Sequence, residues 1–160
     1  MTSRKRLFLD VRDKLKTVTE LELIDYHRNQ FNQGSNQYPN QYTAALIKIG
    51  VTDYASMTEG IKEGSNAIVE IHLYIKDGWM DQHHNTTDPE GGLIEIDLID
   101  KIEEALENLT GDDYRPLKVI QEDEIEDEGD PIMGFVIKFG TKIFKRINYP
   151  YTKRNIQIQN

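Results

Sequence analysis

A chain of 160 residues is long enough to bury a core as one domain, and with no cysteine it carries neither disulfides nor thiolate chemistry. Its 28 acidic against 19 basic side chains give a net charge of −9, which argues against a clamp on nucleic-acid phosphates, since such a clamp needs a basic surface. Arg4, Lys5 and Arg6 near the start are interrupted at once by Asp10, Arg12 and Asp13, so the opening does not read as a signal peptide. No stretch approaches the roughly 20 apolar residues of a membrane span, and the expected setting is a cytoplasm, or an assembly carried out of one.

Leu7, Phe8, Val11, Leu15 and Val18 recur at helical spacing, which predicts a first helix from Ser3 to Lys16 capped by Thr2 or Ser3. Leu21 to Arg28 reads as a first strand, with a shift of apolar parity at Leu23 and Ile24 that would suit a bulge. Asn29 to Tyr42 is rich in Asn and Gln with Gly34 and Pro39; it cannot form a core and reads as a mobile loop. Thr43 to Gly50 is a near-continuous apolar run, as expected of a buried second strand. Val51 to Ser65 stays ambiguous between a surface loop with one helical turn and a strand extension broken by Gly60 and Gly64.

The clearest segment is Asn66 to Asp77. Ala67, Val69, Ile71, Leu73 and Ile75 alternate with Ile68, Glu70, His72, Tyr74 and Lys76, which predicts a strand with one apolar and one mixed face. Its length makes it a central strand, because a long flat edge invites pairing with other chains. A long connection runs from Gly78 to Gly92. Ile94, Leu98, Ile102, Ala105, Leu106 and Leu109 then mark a second helix over Leu93 to Leu109, with Gly111 as its stop. Leu117 to Glu122 reads as a fourth strand, the acidic run Glu122 to Asp130 as a turn, and Met133 to Ile143 as a fifth strand. The tail from residue 147 onward has no period. The expected fold is α+β: a mostly antiparallel sheet of about five strands, two helices on one face, in the order α-β-β-β-α-β-β.

No catalytic centre is legible, and the chain reads as a non-enzyme without cofactor or metal. His83 and His84 stand beside Asp81 and Asp88, but adjacent histidines point apart and no third ligand has a holding spacing. Asp123, Asp127 and Asp130 lack the glycine and flanking helices of a calcium loop. Gly91 and Gly92 precede a helix with no basic residue beside them, so they make no phosphate loop. His72 reads as a surface or interface residue on the mixed face of its strand. The acidic residues Glu122, Asp123, Glu124, Glu126, Asp127 and Glu128 read either as a solvated turn or as a contact for basic patches on a neighbouring copy. The basic candidates are Lys142, Lys145 and Arg146. Trp79, Met80, Tyr149 and Tyr151 are large residues in polar surroundings, suited to packing on the domain edge or to anchoring a protein contact.

The order helix, three strands, helix, two strands resembles that of the tail-terminator and tail-completion proteins of long-tailed bacteriophages. The likeness runs through the opening helix with Leu7, Phe8, Val11 and Leu15, then Leu21 to Tyr26, and Tyr38-Pro39 leading into Ala44 to Gly50. It continues through the long central strand, Leu98 to Leu106, and a closing hairpin with an acidic turn. The Asn/Gln-rich loop and the tyrosine-bearing tail depart from it. The resemblance implies a structural virion protein: a ring, typically hexameric, that caps the tail tube and joins it to the head connector. Its partners would be itself, the tube protein and the connector protein, with DNA passing through and not specifically bound. The alternatives are a small metal- or nucleotide-dependent enzyme using the His83–Asp88 loop, and a cytoplasmic adaptor domain.

Overall fold

A computed structural model of the chain describes residues 1–30, 42–51, 53–58, 60–76, 83–125 and 133–147. These hold two helices and six strands: α1 (Ser3–Leu15), β1 (Leu23–Tyr26), β2 (Ala44–Val51), β3 (Tyr54–Thr58), β4 (Ile61–Ile75), α2 (Ile94–Leu106), β5 (Lys118–Glu124) and β6 (Met133–Arg146). The fold is α+β, as the periodicities require. The sheet runs β1-β2-β4-β6-β5, with β3 also paired to β4, and every pairing except β1–β2 is antiparallel. The expected central strand is central, and it starts earlier than alternation alone suggests.

The helices form for the reasons their spacing gives. In α1, Leu7, Val11 and Leu15 lie four residues apart and are fully buried, and the Thr2 hydroxyl accepts the Lys5 N–H at 3.4 Å as its cap. In α2, Leu98, Ile102 and Leu106 form the same stripe, and Glu95 and Asp97 in the first turn suit the positive end of the helix dipole. Both stripes share one core with Ala67, Val69, Ile71, Leu73 and Ile75 of β4 and Ile137, Phe139 and Ile143 of β6, so both helices cover the same sheet face. The helix stop differs from expectation. Asn108 takes the left-handed conformation at φ 66°, while Gly111 lies further on and pairs with Tyr114. Tyr114 is buried, and its hydroxyl donates to Asp10 on α1 at 2.9 Å.

Three strand expectations are corrected. The described residues of 51–65 are neither loop nor broken extension: β3 and the start of β4 pair as a hairpin, with Gly60 at φ +79° before Ile61, and residues 52 and 59 lie outside the described residues. Gly64 lies inside β4, where a Cβ would meet the Val51 side chain at 2.6 Å, so glycine here admits a neighbour rather than ending a strand. The first strand is four residues long and in continuous register with β2, with no bulge at Leu23; the register shifts lie in β3, β4 and β5. The strand expected to end at Glu122 continues through Asp123 and Glu124, which belong to β5 and not to a turn. An exposed edge strand needs no apolar residues to persist once its backbone is paired on one side.

Candidate assembly surfaces

The two basic segments of the chain meet. The first turn of α1 packs over the far end of β6, where the Ser3 hydroxyl donates to the Phe144 carbonyl at 2.5 Å. The result is an open cleft of about 950 Å³ lined by Arg4, Arg6, Tyr54, Asp113, Lys145 and Arg146, among others. Arg6 is held by Asp113 at 3.1 Å and Asp112 at 3.6 Å, which uses both nearby carboxylates. Lys145 stands 6.0 Å over the Tyr54 ring. Arg4 and Arg146 have no ion-pair partner among the described residues, so the cleft keeps an uncompensated positive charge. No acidic residue sits in the first turn of α1, where the helix dipole favours one.

The opposite charge lies at the other end of the same strand. On β5, Glu122 pairs in register with Ile137 of β6, Asp123 with Val136 and Glu124 with Phe135. Ile137 faces the helices, so Glu122 and Glu124 lie on the helix-covered side and Asp123 on the other. Asp123 is paired to Lys138 at 2.9 Å, which holds its carboxyl below the usual range. Glu122 meets Glu103 of α2. Burial, the hydrogen bond to Glu122 and the charges of Glu122, Asp100 and Glu107 push Glu103 up to about 7. Its Oε1 is buried with no donor among the described residues, so a proton between the two carboxyls is the bond that this contact requires. Phe135 and Lys145 are ten residues apart on β6, which separates the acidic strand from the basic cleft by about 33 Å.

The sheet face away from the helices carries a paired network. Lys48 of β2 and Glu70 of β4 meet at 2.9 Å, and His72 Nε2 reaches the same Glu70 oxygen at 2.9 Å. The His27 ring stacks on His72 with centroids 4.0 Å apart. Burial, and then the facing His72 and Lys48, hold His27 below its ordinary value; burial does the same to His72 against the pull of Glu70. Burial alone would raise Glu70, but Lys48 and His72 outweigh it and keep the carboxylate charged. The network balances its own charge and leaves no open position among the described residues, where no group of three potential metal ligands occurs.

The sequence-predicted residues are therefore split. Lys145 and Arg146 line the cleft, and Arg4 and Arg6 join them. Lys142 stands apart, bound to Glu63 at 2.9 Å. Glu122, Asp123 and Glu124 form the acidic edge; Trp79, Met80, Glu126, Asp127, Glu128, Tyr149 and Tyr151 lie outside the described residues, as do residues 31–41 of the first long loop. His83 is engaged with its own loop, its Nδ1 lying 2.8 Å from the Gly91 carbonyl. The pairing of His27 with His72 was not legible, because His27 follows the end of β1, His72 lies on β4 with β2 between them, and only the sheet register brings them together. No helix among the described residues is long and apolar enough to cross a membrane. No protein-family model matches the chain, and no curated protein matches it either.

Proposed function

We propose that this chain is a structural coupling protein that closes head to tail into a ring, capping a phage tail tube and joining it to the head connector. The observation that carries the reading is the segregation of charge: a basic cleft with unpaired cations among the described residues and an acidic edge strand, about 33 Å apart along β6. Unlike patches on opposite ends of a subunit make heterologous contacts, and these close into rings when the rotation between neighbours allows it. Closure without a rise requires the line joining the two patches to lie in the ring plane. β6 then runs around the circumference and not along the axis. Net acidity of −9 would keep the bore from gripping DNA as it passes.

The protein would act by shape and contact and not by chemistry. Its described titratable clusters are internally paired, as in Lys48–Glu70–His72, or share a proton, as in Glu103–Glu122. The test is electron microscopy of tail tubes grown from purified tube protein with and without this chain. Rings seated on tube ends, with tube length cut short as the chain is added, are the expected result. Tubes that elongate unchanged, with bare ends, would refute the capping role.

A further inference from the structure

We infer that the basic cleft receives the acidic edge strand β5 of the next copy, so that Arg4, Lys145 and Arg146 of one subunit face Glu122 and Glu124 of its neighbour. This rests on the ring reading and names its seam. Two features of the chain support a second copy as the occupant. The charges are complementary: two carboxylates of the cleft are spent on Arg6, leaving three cations, while on β5 Asp123 is paired to Lys138, and Glu124 and the negative charge left on the Glu103–Glu122 pair have no basic partner among the described residues. The sides agree, since Glu122 and Glu124 lie on the helix-covered side of the sheet, as does the first turn of α1 that forms the cleft wall.

The arrangement of charge in α1 points the same way. Arg4, Lys5 and Arg6 occupy the first turn, where the exposed N–H groups already make a positive end. Cations there oppose helix stability, and an arriving pair of carboxylates relieves that repulsion. A strand edge is also the right shape. β5 leaves one row of backbone groups unpaired, and β3, which borders the cleft through Tyr54, is exposed along all five residues and carries no charge to repel a neighbour.

The test uses the full chain and two double variants. Arg4→Glu with Lys145→Glu makes the cleft acidic; Glu122→Lys with Glu124→Lys makes the edge basic. Each variant alone is expected to weaken self-association at least about tenfold by light scattering, because its own two patches now repel. Mixed in equal amounts, the two are expected to restore the wild-type mass, since each edge then finds a cleft of opposite sign. Zero-length carboxyl–amine cross-linking of wild type, read by mass spectrometry, supplies a readout free of folding defects: a Lys145–Glu122 or Lys145–Glu124 link between isotopically distinct copies is expected. A wild type that is oligomeric while neither variant changes its mass and no such link forms would overturn the seam and leave the ring standing. A wild type that never associates would overturn both. Retention of a short DNA duplex by wild type and its loss in the acidic-cleft variant, with mass unchanged, would assign the cleft to nucleic acid and overturn the proposal.

Discussion

Replacing Arg4 by Glu separates what the first turn of α1 costs the fold from what it would give the proposed assembly. Arg4 is the second helical residue after the Thr2 cap, within the turn where a positive charge meets the positive end of the helix. Removing an unfavourable cation and adding a favourable anion at an exposed site is worth about 1 kcal/mol in total. For a chain of this size that corresponds to a rise of about 3 °C in melting temperature. Because association would itself stabilise wild type, the comparison belongs at high salt and low concentration, where the chains are apart. Calorimetry there should show Arg4→Glu melting higher, while light scattering at low salt shows it associating more weakly. Lys5→Glu is the matched control. The new carboxylate stands three residues after Thr2, completes a capping box with it and stabilises the helix in the same way. Position 5 does not line the cleft, so the mass should not change. An Arg4→Glu chain that is less stable when dissociated, or one that assembles as wild type does, would refute the reasoning.

Three further outcomes follow from the core and from the carboxyl pair. Glu103 titrates near 7 in the folded chain against 4.5 in the unfolded one, so the stability from its proton is fully present below pH 4.5 and is lost as pH rises through about 7. At this half-buried position, solvent screening reduces the effect to about 1 kcal/mol, and Glu103→Gln should gain that much over wild type at pH 8 and nothing at pH 4 in urea titrations. Tyr114→Phe removes the 2.9 Å bond to Asp10 that joins α1 to the turn before β5, and should cost about 1–2 kcal/mol by chemical denaturation. Ile102→Ala opens a cavity in the fully buried stripe of α2 and should cost about 3 kcal/mol, measured the same way.

Much of the fold was legible wherever one face is buried. The five alternating residues Ala67 to Ile75 mark β4, and the four-residue spacing of Leu98, Ile102 and Leu106 marks α2, because burial filters side chains at the period of the backbone. β3 escaped because all five of its residues are exposed, which leaves no pattern to read. The direction of β1 is likewise invisible in its residues: period two is the same whether its partner runs parallel or antiparallel. Asn108 took the role expected of Gly111 because asparagine also tolerates the left-handed conformation, and Gly111 is needed for another reason. A Cβ there would lie 2.5 Å from the Tyr114 ring. Of the candidate surfaces, the residue types were legible from charge alone, but their grouping was not. Arg4 and Lys145 stand 141 positions apart in sequence and share a cleft only because α1 docks across the end of β6.

The central claim is that copies of this chain bind one another through charge into a closed assembly. Light scattering on the purified protein at millimolar and at molar salt tests it directly. The account predicts a discrete mass at low salt that is a fixed multiple of the 18.6 kDa chain, unchanged as concentration rises, and a fall toward 18.6 kDa at high salt. A monomer at every salt and concentration would contradict it, and so would a mass that climbs without limit, the sign of an open filament.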